Sequence, residues 1–200
     1  SKNLKDAGLC TRIASMYALY EREEDAVRLY ERAIEIEPES MQRYTDLAEY
    51  LFTRTKAEPA KAVLARAFQA AQGKPRRLEA IAGTLREHDL VEQAKACLEQ
   101  ILALEPNNQE QRYALADLLL SQKQVEGAKA LLWQVLEAED KSAGGQRTQA
   151  ANTLVQLAVQ AGAQQALETE ATAKTSAGAA FLLGRLHSRS REFEKAIASF

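Results

Sequence analysis

The side chains of this 200-residue chain that could do chemistry are few: two histidines, two cysteines, one tryptophan and a short run of acids. Proton transfer or metal binding needs several such groups brought together, and their spacing in sequence is the first sign of it. His88 and His187 lie far apart and neither belongs to a His-Glu-x-x-His pattern. His88 reads as a polar residue at a helix end and His187 as a partly buried packing residue. Cys10 and Cys97 form no Cys-x-x-Cys pair and no disulfide framework, and read as small buried hydrophobes. Neither a glycine-rich phosphate loop nor a Gly-x-Ser-x-Gly elbow occurs. The acids Glu21, Glu23, Glu24 and Asp25 suit a solvated turn leading into a helix, where carboxylates meet the positive end of the helix dipole. Trp133 follows Leu132 in an apolar helical stripe and reads as packing rather than as a ligand platform. The residues therefore predict no catalytic site, no cofactor and no metal.

Composition narrows the partners. Lys and Arg total 26 against 28 for Asp and Glu, a formal charge of −2, which argues against the basic face that nucleic acid requires. Hydrophobic residues make up 46% and charged residues 27%, the mix of a chain with a buried core rather than a disordered one. No apolar run reaches the roughly 18 residues of a membrane span, so no direct membrane insertion is expected. A soluble protein of the cytoplasm or of a bacterial periplasm fits this balance.

The elements that hold these residues are helices in a repeat. Alanine, the best helix former and small enough to let two helix backbones approach, occurs 37 times, against 9 Gly and 4 Pro. Ala26, Tyr30, Ala33 and Pro38 recur at a constant interval as Ala60, Leu64, Ala67 and Gln72, then as Ala94, Leu98, Ile101 and Pro106, then as Ala128, Leu132, Val135 and Asp140. Upstream, Ala14 and Tyr17 recur at the same interval as Ala48 and Leu51, Ala82 and Leu85, and Ala116 and Leu119. A last copy appears at Leu183, Gly184, Ala196 and Phe200. The expected organisation is one solenoid over residues 1–200, with repeats 7–40, 41–74, 75–108, 109–142, a degenerate 143–176 and a partial 177–200. The pattern begins and ends in mid-course, as expected for part of a longer array, with weak packing around residues 190–200.

Each repeat reads as two antiparallel helices, for example 7–20 and 24–37, with Ala14 and Ala26 at their closest approach. All four prolines fall at expected helix ends: Pro38 and Pro106 beyond second helices, Pro59 in a first turn and Pro75 at a helix start. Ser40 and Asn108 are placed as N-caps, and Asn108 with Gln111 has capping-box spacing. In the fifth copy the pattern loosens after the Gly/Ser-rich stretch Lys141 to Gly145, predicting a longer first helix around 147–161, a break at Gly162 and a short second helix around 163–173.

A period of about 34 residues, with small residues at positions 8, 20 and 27, large apolar ones at 7, 11 and 24, and Pro at 32, resembles the tetratricopeptide repeat. Position 4, often Trp in that family, departs from it with Cys10, Tyr44, Leu78 and Arg112. The pentatricopeptide pattern fits less well, given Pro38, Pro106 and the net charge. The resemblance implies an all-α, right-handed superhelical solenoid of stacked helix pairs. It also implies a noncatalytic protein-interaction scaffold whose concave groove is lined by positions 2, 5, 9, 12 and 13. Transferred to this chain, the first copy offers Thr11, Ser15 and Leu19, and the second Gln42, Thr45, Glu49, Phe52 and Thr53. The third offers Arg76, Glu79, Arg86 and Glu87, the fourth Glu110, Tyr113, Asp117 and Leu120, and the last Phe181, Arg185, Ser188 and Arg189. Phe52, Tyr113 and the arginines would anchor a helical or extended partner segment. The clamp that such repeats use for acidic chaperone C-terminal tails is not matched: Thr11, Ser15, Asp46 and Ala80 stand where it needs Lys, Asn, Asn and Arg, and only Arg76 is cationic. A second reading is the repeat region of a larger enzyme or of a bacterial exopolysaccharide export machine that recruits other components. Self-association through the terminal repeats is a third.

If the register is right, Ala94→Arg forces a long cation into a close helix contact and costs several kcal/mol, roughly 3 or more. Thermal denaturation checks this, and an unchanged midpoint would refute the register.

Overall fold

The helices fall where the alanine and proline positions place them. The computed structural model describes residues 5–138, 144–189 and 198. In order the helices are α1 (Ala7–Leu19), α2 (Glu23–Ile36), α3 (Met41–Thr53), α4 (Ala57–Ala71), α5 (Pro75–Glu87), α6 (Val91–Leu104), α7 (Gln109–Ser121), α8 (Val125–Glu137), α9 (Gly144–Gln160), α10 (Gln164–Thr172) and α11 (Ala177–Arg189). The described residues contain no strand, so the fold is the all-α, helical-repeat class. The helices α1, α3, α5 and α7 start at Ala7, Met41, Pro75 and Gln109, the first residues of the four expected repeats. The expected frayed end at 190–197 and the positions of Asp140, Ala143 and Phe200 lie outside the described residues.

The chain divides into two units, Ser1–Glu105 and Pro106–Phe200. In the first, α1 packs with α2, α3 with α4 and α5 with α6, and α3 also touches both α1 and α5. Ala14 and Ala26, the alanines expected at the closest approach of the first pair, are fully buried, as are Ala48, Ala60 and Ala94. Leu47, Leu64, Leu78, Ile81, Leu98 and Ile101 fill the surrounding space. In the second unit, α7 pairs with α8, α9 packs on α8, α10 and α11, and Trp133 is buried in the same core as Leu132, Leu154 and Leu182.

The turn inside each hairpin is the same device used five times. Glu21, Thr55, Asp89 and Lys123 take left-handed φ values of 58°, 59°, 55° and 62°, and Gly162 takes 65°. Each lets the next amide reach back across the helix end: Arg22 N to Tyr17 O (3.0 Å), Lys56 N to Leu51 O (2.9 Å), Leu90 N to Leu85 O (2.8 Å), Gln124 N to Leu119 O (2.9 Å) and Ala163 N to Ala158 O (2.8 Å). These bonds satisfy carbonyls that the helix terminus leaves without partners. Only the last turn uses glycine, the residue for which that conformation carries no steric cost.

Capping differs in part from expectation. Asn108 Oδ1 accepts the Gln111 amide at 3.1 Å, but Ser40, though at the N-cap of α3, makes no side-chain capping bond. The turn before α3 is held instead by the Tyr44 hydroxyl donating to Pro38 O (3.0 Å) and by the Arg43 guanidinium on Glu37 (2.8 Å). In the fifth copy α9 begins at Gly144, ahead of the expected 147, and α10 spans only Gln164–Thr172.

Burial pushes the Cys97 thiol up to about 12. Above about pH 8.5 the unfolded thiol ionises while the folded one stays protonated, so this group's contribution to stability is complete below that pH and is lost as pH rises towards 12. Cys97 is accordingly expected to resist thiol reagents at pH 8 in the native protein and to react on denaturation. Two substitutions test the backbone. Thr55→Gly relieves a β-branched residue in the left-handed region and should raise stability by about 0.5–1 kcal/mol. Gly178→Ala should lower it by about 1–3 kcal/mol, because a Cβ there would collide with the Leu136 carbonyl at the end of α8. Urea denaturation of both variants checks the signs.

Candidate functional site

In the first unit, the alternate helices α1, α3 and α5 form one layer, and this layer carries Glu49, Phe52, Arg76, Glu79 and Arg86. The structure brings two of them together. The half-buried ring of Phe52 on α3 stacks on His88 at the end of α5, with centroids 3.6 Å apart and planes 13° from parallel. Nε2 of His88 lies 3.0 Å from each carboxylate oxygen of Glu49. The cluster remains open to solvent: the Glu49 side chain is 44% exposed and that of His88 23%. An aromatic plate backed by a hydrogen-bonded carboxylate can bind an apolar or cationic side chain by stacking and charge. Arg76 and Arg86 are exposed at opposite ends of α5, and Glu79 is half-buried between them.

Other positions behave differently. Thr45 is buried and its hydroxyl donates to Gln42 O at 3.1 Å. Gln42 donates to Asp46 at 2.7 Å. Ser15 lies 3.1 Å from the Tyr30 hydroxyl, and Leu19 is 83% exposed.

His88 is the residue that reasoning on single positions passes over. It caps α5, as expected of a polar helix-end residue, yet its ring reaches back over the preceding hairpin. A signal exists one period earlier: Arg54, the equivalent of His88 at the end of α3, reaches back in the same way and donates to Ala18 O at 2.6 Å. A long side chain just past a first helix therefore meets the last turn of the first helix one hairpin before it, which pairs Arg54 with Ala18 and His88 with Phe52.

In the second unit, the half-buried Tyr113 on α7 is tied through its hydroxyl to Thr153 on α9 at 3.2 Å. Phe181 on α11 packs against the core and carries the Arg185 guanidinium 5.4 Å from its ring centre. Asp117 and Arg189 are exposed. His187 is buried, with Nε2 3.1 Å from Glu168, in keeping with a packing role. The described residues hold no cluster of three or more metal-ligating side chains, and no helix among them is long and apolar enough to cross a membrane.

Two tetratricopeptide repeat models match the chain, over residues 7–40 and 85–151, together just over half of it. The chain belongs to the tetratricopeptide repeat family. No curated protein matches it in sequence. Solved structures similar to it include Pseudomonas aeruginosa pilF, 20% identical, with 96% of this chain and 88% of that one covered and a TM-score of 0.48. Another is YrrB, described as a TPR protein with an unusual peptide-binding site, 15% identical, with coverages of 99% and 84% and a TM-score of 0.44. Membership makes the chain a protein-interaction scaffold of helical repeats, a family whose members are in general not catalysts.

The stacked pair yields a stability prediction. Phe52→Ala and His88→Ala should each cost about 0.5–1.5 kcal/mol, and the double variant less than their sum, because the contact is lost only once. A double-mutant cycle by denaturant titration measures the coupling, and strict additivity would mean that the rings do not interact.

Proposed function

We propose that this chain is a noncatalytic interaction module in which the layer of first helices binds a helical or extended segment of a partner protein. The observation that carries this reading is the Glu49–Phe52–His88 cluster: a stacked aromatic pair, half open, with a carboxylate beside it, on the layer that joins three hairpins. Rigid aromatics cost little entropy when they bind, and with arginine they are the residues that most often dominate interface energies. Arg76 and Arg86 supply cations on the same layer, and Glu79 an acid. A lining of both signs with few aromatics suits a segment held at discrete anchors rather than a polyanion.

In this reading the repeats are those expected from sequence, 7–40, 41–74, 75–108, 109–142, 143–176 and 177–200. Tyr113, Asp117, Phe181, Arg185 and Arg189 form a second set of candidate contacts. An acidic chaperone tail is disfavoured as the partner, since Asp46 would repel a carboxylate.

A partner recovered by pull-down and titrated by calorimetry tests the proposal. The Phe52→Ala, Arg86→Glu double variant should lose at least about 2 kcal/mol of affinity while keeping its helical circular dichroism. Lys95→Glu, on a second helix, should change affinity little. If Lys95→Glu weakens binding and the double variant does not, the interface lies on the second helices and the groove model fails.

A further inference from the structure

The fifth hairpin departs from the others, and its departure leaves a cavity. Counted from the left-handed turn residue, the position held by Tyr30, Leu64, Leu98 and Leu132, all buried, falls on the small Ala171 in the fifth copy. Because α9 runs on to Gln160, α10 starts late and ends at Thr172, and Leu167 and Ala171 are its buried residues. A pocket of about 370 Å³ opens between α8 and α10, with α9 as its floor. Leu154, Leu157 and Trp133 make its deep part, and Ala161, Ala163 and Ala166 leave it wide. This volume is at the small end of the range for ligand pockets, about 300–1,000 Å³.

The mouth carries two carboxylates and one ammonium. Glu126 on α8 and Glu170 on α10 stand on opposite walls. Lys129 is engaged with Glu126 at 3.2 Å, while Glu170 is exposed and makes no ion pair among the described residues. Lys174, the next cation after α10, is already committed to Glu137 (2.8 Å) and to the Trp133 ring (4.9 Å). An apolar hole beside an unneutralised carboxylate is complementary to an apolar group with a cation attached.

From this combination we infer a second binding site, in which the α8–α9–α10 pocket receives one bulky aliphatic side chain of a partner peptide whose flanking lysine or arginine pairs with Glu170. It lies in the second unit, between α8 and α10 with α9 as its floor, and shares no residue with the Glu49–Phe52–His88 cluster. The aliphatic group fills the space left open beside Ala166 on the pocket wall, and Glu170 chooses between basic and acidic neighbours.

Trp133 is the only tryptophan of the chain and forms part of the pocket wall, so its fluorescence reports occupancy directly. The probes are capped pentapeptides Ala-Lys-Leu-Lys-Ala, Ala-Lys-Ala-Lys-Ala and Ala-Glu-Leu-Glu-Ala, with hexylamine as a small amphiphile. The Lys-Leu-Lys peptide should give a saturable change, the leucine-free peptide none, and the Glu-Leu-Glu peptide binding about three- to fivefold weaker, the size of exposed charge pairs. Ala166→Leu should weaken Lys-Leu-Lys binding at least about tenfold and raise the melting temperature, since it fills the cavity from within. Glu170→Lys, an exposed change that leaves the fold alone, should reverse the preference between the two charged peptides. Equal binding of the leucine and leucine-free peptides, unaltered binding by Ala166→Leu, or no saturable signal from any peptide overturns the inference. Saturation by hexylamine alone also overturns it, and makes the pocket a small-amphiphile site.

Discussion

Everything in this molecule depends on how closely two helices of a hairpin can approach. Ala14 and Ala26, Ala48 and Ala60, Ala82 and Ala94, and Ala116 and Ala128 recur at one offset on paired helices, and all eight are buried. A methyl group is the largest side chain that such an approach leaves room for. The gain is that leucines and isoleucines on either side come into contact with both helices at once, which is where dispersion and burial stabilise the pair. A hairpin still has an apolar face that it cannot cover by itself. That face is covered by the next hairpin, and a repeat protein is the consequence.

The turn joining the paired helices is equally constrained, because the chain must reverse within a few residues while the helix end keeps its carbonyls satisfied. A left-handed residue at Glu21, Thr55, Asp89, Lys123 and Gly162 does this each time. Four of the five accept local backbone strain on a side chain that the conformation disfavours. In the fifth hairpin glycine removes the strain, yet the turn arrives late, since α9 is extended. The shortened α10 then cannot offer a large residue where the other second helices do, and a cavity forms. One change in helix length thus separates an interchangeable repeat from one with a pocket of its own.

The candidate site follows from the same stacking. In the first unit, side chains on successive first helices are neighbours because their hairpins are neighbours, and the constant period turns sequence separation into spatial offset. Glu49, Phe52 and His88 are brought together in this way, with Glu49 and Phe52 on one turn of α3 and His88 at the end of α5. The layer can present a stacked aromatic pair and a carboxylate with no loop to hold them, because both helices are fixed by their buried faces.

The sequence by itself determined the elements of this protein: the helices, their pairing, the step between them and the family, since alanine and proline positions act locally and repeat with the period. Glu49 and Phe52 stood among the groove positions that the family resemblance implied. The tertiary structure decided what depends on one hairpin meeting another or on where a helix stops. It turned Thr45 inward, left Ser40 without a capping bond because neighbouring side chains held its turn, and laid His88 on Phe52. It also set the late start of α10, which leaves Leu167 and Ala171 as its buried residues. These outcomes rest on how particular side chains pack, many of them a whole repeat apart in sequence, or on the exact end of a helix. A periodic pattern carries the average of its copies rather than the exceptions among them.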